Sequence, residues 1–256
     1  MYFIDTHSHI YLDKYSKDIK EVVQRAVKQN VNYIFLPNID SSTISSMLNL
    51  AKLFPKICFP MIGLHPTSVE EDYKFELNII EKILNEEKFI GIGEIGIDLY
   101  WDKTFVEEQK FAFKKQLDIA SEYNLPVVIH SRNSFNEVFS ILKSYKSGSV
   151  FGIFHAFSGS VEQAKKIIDL GFKLGIGGVV TYKNSGLAET ISKIDLKNIV
   201  LETDSPYLTP VPKRGKRNEP TYLVYIAKKL SEIYGLNIGD IAKITSNNVI
   251  EIFNFN

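Results

Sequence analysis

Tyr2-Phe3-Ile4-Asp5-Thr6-His7-Ser8-His9 reads as a short apolar strand that runs straight into two histidines. Alternate side chains of an extended segment share a face, so both imidazoles can reach one cation. Asp5 has the same parity and is placed to orient a ligand histidine from behind or to serve a third ion. Alone, such a pair is equally at home on a surface. Its weight comes from repetition along the chain. His65 follows an apolar run at 57–62, His130 ends one at 126–129, and His155 ends one at 150–154. With His7 and His9 these are all five histidines of the chain. Glu94 closes a run at 89–92, and Asp204 closes one at 198–201.

Counting outward from these runs gives eight expected strands, at 2–4, 33–36, 57–62, 89–92, 126–129, 150–154, 173–176 and 198–201. Helical patterns separate them, at 16–30, 41–54, 75–86, 105–123, 134–145, 160–170 and 186–193, with two more at 219–235 and 238–253. Within the first helix Ile19, Val22, Val23, Ala26 and Val27 keep helical spacing. Strands separated by helices imply parallel pairing through right-handed crossovers. Near-continuous apolar strands imply a sheet covered on both faces. The 256 residues match the ~250 of one eight-stranded α/β barrel. The expected fold is therefore a (β/α)8 TIM barrel, one domain over residues 1–256. An open doubly wound sheet is the rival, but no Gly-rich turn follows the first strand. In a barrel the strand C-termini converge on one mouth, which gathers the histidines and carboxylates.

Lys and Arg number 30 and Asp and Glu number 30. That balance argues against a long basic groove for nucleic acid and leaves local handling, with metal supplying positive charge. Histidines and carboxylates without thiolates suit Zn²⁺, Mn²⁺, Mg²⁺ or Fe²⁺, and more than one ion can be held. Glu94, set among Gly91, Gly93 and Gly96, is the candidate to bridge two ions; a salt bridge is its plainer reading. Asp204 is the candidate to bind metal and take a proton from the attacking water; a helix cap ahead of Pro206 is its plainer reading. Glu202 shares its parity and is a candidate to back a ligand or hold a further ion. Arg132, two residues past His130, and the run Lys213-Arg214-Gly215-Lys216-Arg217 could hold phosphates, although such a run is as often a solvated loop. Tyr100, Trp101, Tyr182 and Tyr207 lie in loops at the mouth and could stack on splayed bases or merely pack. Cys58 is the one cysteine, so no intrachain disulfide forms and a reducing, cytoplasmic compartment is expected. No signal peptide or transmembrane segment is expected, and no obligate protein partner is evident.

Seven motifs together resemble the TatD family of metal-dependent deoxyribonucleases. They are Asp5-Thr6-His7-Ser8-His9, Gly63-Leu64-His65-Pro66, Gly93-Glu94-Ile95-Gly96-Ile97-Asp98, His130-Ser131-Arg132, His155-Ala156-Phe157-Ser158-Gly159, Glu202-Thr203-Asp204-Ser205-Pro206 and Arg217-Asn218-Glu219-Pro220. The resemblance implies a TIM barrel of the amidohydrolase superfamily. It implies one metal on His7, His9, Glu94 and Asp204 and a second on Glu94, His130 and His155. It implies His65 and Arg132 as phosphate contacts, and 3′–5′ exonuclease action on DNA, with single-stranded or frayed ends as substrate. The family often has a tyrosine where Leu99 stands; here Tyr100 comes one residue later. Two rivals remain open: a metal-dependent esterase or amidohydrolase acting on small molecules or tRNA-linked esters, and a metal-binding protein without catalysis.

Overall fold

Eight short strands alternate with helices through residues 1–254, the part of the chain that the computed structural model describes. The strands are β1 (Phe3–Asp5), β2 (Val31–Pro37), β3 (Cys58–Met61), β4 (Ile92–Asp98), β5 (Val127–Arg132), β6 (Gly152–Phe154), β7 (Lys173–Ile176) and β8 (Ile199–Leu201). The helices are α1 (Ile19–Lys28), α2 (Ser41–Leu53), α3 (Tyr73–Glu86), α4 (Val106–Tyr123), α5 (Phe135–Leu142), α6 (Val161–Asp169), α7 (Leu187–Ile191), α8 (Leu223–Tyr234) and α9 (Ile238–Phe253). The single-domain expectation also spans 255 and 256, which lie outside the described residues.

All strand pairs are parallel, in the orders β1-β2-β3 and β4-β5-β6-β7-β8. Two seams close the ring. Ile62 bridges Ile92, with the Gly93 N–H on the Ile62 carbonyl at 2.8 Å. Ser8 bridges Ser205, and the Thr6 N–H reaches the Leu201 carbonyl at 3.1 Å. The fold is thus the expected TIM barrel. Ile4, Phe35, Met61, Val128, Ile153 and Val200 form a core of their own, one side chain from each of six strands. Val249, Ile252 and Phe253 of α9 pack on that core together with Tyr2, Tyr33 and Phe59 from the strand N-termini. The C-terminal part of α9 therefore closes the lower mouth, while the upper mouth stays open for chemistry.

The strand around Glu94 differs from expectation. It runs 92–98 rather than 89–92, so Glu94 sits inside the strand, and its pairing with β5 shifts register between Ile92 and Ile95. Its polar and glycine positions mask the apolar run. Gly96 has φ +146, and a Cβ there would strike the His130 carbonyl, so only glycine lets the two strands come this close. The first helix begins at Ile19, not 16, because 13–15 form a 3-10 turn.

Candidate metal centre

Backbone hydrogen bonds fix the histidine pair before any ligand is considered. Ser8 N–H donates to the Phe35 carbonyl (3.0 Å), His9 N–H to Ser205 (2.7 Å), and Asp204 N–H to His7 (2.9 Å). The segment after β1 is thereby threaded between the ends of β2 and β8. Asp204 lies three residues past β8 with φ +55; no helix starts there, so it is not a cap.

Glu94 stands at the centre. Its Oε2 lies 3.0 Å from His7 Nε2 and 3.5 Å from His9 Nε2. Its Oε1 lies 2.8 Å from His130 Nδ1, 3.4 Å from His65 Nε2 and 3.9 Å from His155 Nε2. One carboxylate therefore sorts five imidazoles into two groups, one per oxygen. Asp204 Oδ1 is 3.7–3.9 Å from Nε2 of His9, His155 and His7. Three sets have their ligand atoms close enough to share an ion: His7, His9 and Glu94; His7, His155 and Asp204; and His65, Glu94 and His130.

Hydrogen bonds behind the rings decide which nitrogens are free. The Tyr11 hydroxyl has one proton and donates it to the Pro37 carbonyl at 2.6 Å. His9 Nδ1, 2.9 Å from the same oxygen, must then be the donor, which leaves Nε2 with a lone pair facing Glu94. Asp98 Oδ2 lies 2.8 Å from His130 Nε2 and leaves Nδ1 for the centre. Glu202 Oε1, which accepts the Ala156 N–H at 2.6 Å, lies 3.0 Å from His155 Nδ1 as an ion-pair contact. His65 is the opposite case. Its Nδ1 accepts the Thr67 N–H at 3.1 Å, so the proton of its neutral ring sits on Nε2. His65 thus has the position of a ligand but presents a donor, which suits an anionic oxygen rather than a cation.

The donor set fits divalent cations. Nitrogen and carboxylate oxygen donors converge without a thiolate, the arrangement that suits Zn²⁺, Mn²⁺, Mg²⁺ or Fe²⁺, and carboxylates orient two of the histidines from behind. The local field is negative. Burial opposes charge on His155, yet Glu202, Glu94 and Asp204 overcome it and push the ring up to about 10. Burial likewise opposes charge on His130, which Asp98 and Glu94 raise. Burial pushes Asp204 up to about 6, against His155 and His9. For Glu94, burial works upward but His7, His65 and His155 prevail and hold it well below the usual range.

Asp5 does not touch either imidazole, contrary to its parity. Its Oδ1 accepts the N–H groups of Thr203 (2.8 Å) and His7 (3.3 Å), and its Oδ2 accepts the Thr203 hydroxyl (2.6 Å). It ties the start of the barrel to the loop that carries Asp204, and burial pushes it up to about 8. The basic run 213–217 also behaves differently. Arg217 is held by Asp18 and Glu219 and covers the Tyr15 ring. Arg214 covers Tyr182, whose hydroxyl donates to Thr209. Arg214, Arg217 and Tyr182 pack within this loop, and neither the run nor Tyr182 lines the cavity over the centre. Arg132, Trp101 and Tyr207 do line it.

Several supporting residues carry no signal in the sequence analysis. Gln116 of α4 accepts the Leu64 N–H at 2.7 Å and donates to its carbonyl at 3.2 Å, fixing the backbone beside His65. Gln109 accepts the Asp98 N–H at 2.9 Å. Asn38 ties Gly63 and Asp40 through its side-chain amide, and its backbone carbonyl accepts the Glu94 N–H at 3.1 Å. Tyr11 alone could have been found, since it continues the alternation of His7 and His9. The cavity over the centre measures about 650 Å³, within the usual range for small-molecule sites.

A parallel barrel with a buried histidine and carboxylate cluster at its C-terminal mouth has the architecture of a metal-dependent enzyme. A family model described as TatD related DNase matches residues 4–254. The metal-dependent hydrolase YabD of Bacillus subtilis is 37% identical over 98% of this chain and 99% of its own length. The crystal structure of the TatD homologue YjjV of Escherichia coli superposes with a TM-score of 0.93 at 32% identity, covering 99% of this chain and 98% of that one. A TatD family hydrolase from Entamoeba histolytica shares the fold, with a TM-score of 0.84 at 23% identity over 98% of both chains. The chain belongs to the TatD family, and it is a metal-dependent hydrolase.

Proposed function

We propose that the chain cleaves phosphodiester bonds of DNA as a 3′–5′ exodeoxyribonuclease, with single-stranded or frayed ends as substrate. The observation that carries the reading is the pairing of a cation-binding cluster with two anion donors in one cavity: His65, whose Nε2 is a donor, and Arg132. The description of the matching family model points the same way.

We assign His7, His9, Glu94 and Asp204 to one ion and Glu94, His130 and His155 to a second, with Zn²⁺, Mg²⁺ or Mn²⁺ as candidates. When bound, such ions supply Lewis acidity at phosphoryl oxygens and favour ionisation of water. The chain's own residues do the rest. Glu94 holds the two halves of the cluster in register through its two oxygens. Asp204, 13% exposed where Glu94 is 3%, is the cluster carboxylate that opens to the cavity and takes the proton from the attacking water. His65 and Arg132 donate to the non-bridging oxygens and orient phosphorus for attack. Asp5 and Glu202 position backbone and His155 respectively. Among the described residues no helix is long and apolar enough to cross a membrane. With Cys58 buried and unpaired, a cytoplasmic setting is part of this reading.

The test is degradation of a 5′-labelled single strand after chelation and return of Mg²⁺, Mn²⁺ or Zn²⁺. A ladder that shortens from the 3′ end and is lost in Asp204→Asn and in Glu94→Ala supports the proposal. An intact strand with every metal, from protein that binds metal, moves the assignment to a small or tRNA-linked ester.

A further inference from the structure

The rim of the cavity carries an aromatic arm whose exposure packing does not explain. Trp101 is 67% exposed and Tyr100 50%. An indole buries a large apolar area when it serves a core; this one faces the cavity that holds His65 and Glu94. The two rings meet edge to face, with centroids 4.9 Å apart at 87°. Arg132 lies over both, 3.7 Å from the Tyr100 centroid and 5.3 Å from that of Trp101. The arm is also fixed from below: Asp98 Oδ1 accepts the N–H of Tyr100 at 2.8 Å and of Trp101 at 3.1 Å. The other oxygen of that carboxylate faces His130 Nε2 at 2.8 Å. The exposed indole is therefore a held surface, with a guanidinium beside it and the phosphate donors next to it.

We infer that Trp101, steadied by Tyr100 and Arg132, is a stacking platform for one unpaired nucleobase of the strand being cut. The inference rests on the nuclease reading and deepens it. Every base has a π-face, so stacking on an aromatic ring is tolerant of sequence. A paired base inside a duplex has both faces taken by its neighbours, so the platform admits only a splayed or terminal one. Arg132 then has a double part: its plane holds the arm through cation–π contact, and its free N–H groups reach the phosphate beside the stacked base.

Trp101 is the chain's one tryptophan, so its emission reports on this site alone. The metal-loaded protein is titrated with a phosphorothioate-linked oligothymidylate, which resists cleavage, and with an abasic oligomer of equal length and charge. Saturable quenching by the first and little by the second is expected. Equal responses to both, or none to either from protein that degrades DNA, overturn the platform. Turnover supplies the second readout. Trp101→Ala should raise KM for single-stranded oligothymidylate about 5- to 150-fold, the range that loss of one stacked base implies. Its kcat should change far less, and Trp101→Phe should recover most of the loss. An unchanged KM in Trp101→Ala overturns the inference and leaves the nuclease reading standing. Wild-type protein that degrades no DNA removes both.

Discussion

The Tyr11 hydroxyl lies 2.9 Å from His9 Nδ1 and 2.6 Å from the Pro37 carbonyl oxygen. With one proton to give and a carbonyl to receive it, the phenol fixes the tautomer of its histidine. Tyr11→Phe removes that constraint without emptying the buried site. Metal affinity, measured by competition with a chromophoric chelator, should fall about 10- to 100-fold, the usual effect of losing such a partner. Unchanged affinity in a folded variant would show that His9 needs no orienting group.

Gly175 touches the Glu202 carboxylate so closely that any Cβ there would overlap it. Gly175→Ala should drive Glu202 away from His155, which then loses its partner at Nδ1. Metal content per chain, read by elemental analysis, should drop while the far-ultraviolet dichroism stays that of the native barrel. Full metal content would place no importance on the Glu202–His155 contact.

Gln116 satisfies both backbone groups of Leu64 from α4. Gln116→Leu leaves a buried N–H and carbonyl unpaired, a loss of about 1–3 kcal/mol for each such group. Urea unfolding should register the destabilisation. The loop that carries His65 should loosen with it, so KM should rise as well.

Arg217 bonds both oxygens of Asp18, at 2.8 and 2.7 Å, and Arg25 adds a third bond at 3.1 Å. The Arg217 pair, aided by Arg25, holds the Asp18 carboxyl down at about 2, below the ordinary value of about 3.9. A depressed carboxyl stabilises the fold above its unfolded pKa and loses that contribution as pH falls through its folded one. The wild type should therefore lose stability between pH 4 and about pH 2 that Asp18→Asn never possessed. Parallel thermal-melting profiles across that window would contradict the coupling.

What the sequence disclosed follows from physics that is local in the chain. Strands buried on both faces are apolar throughout, so most could be read directly. Histidines are scarce, and their places after these runs exposed the site. The extent of β4 escaped because glycines required for close strand approach interrupt its apolar pattern, and because Glu94 and Asp98 point polar groups into the barrel. Gln109, Gln116 and Asn38 escaped because amides are common and their partners are remote in sequence. The run 213–217 misled for the complementary reason: charge is visible in one dimension, but the acids Asp18 and Glu219 that consume Arg217 become its neighbours only when the barrel closes.

Asp98 has its two oxygens on different duties, one toward His130 and one toward the backbone of Tyr100 and Trp101. Binding free energies linked through a shared group are reciprocal. An ion held through His130 would draw on the same carboxylate that grips the arm. Whatever change the ion made in that grip, a molecule settled on the arm would return to the ion by the same factor. A single carboxylate would then be the fulcrum of a thermodynamic lever, with occupancy at one end read from affinity at the other.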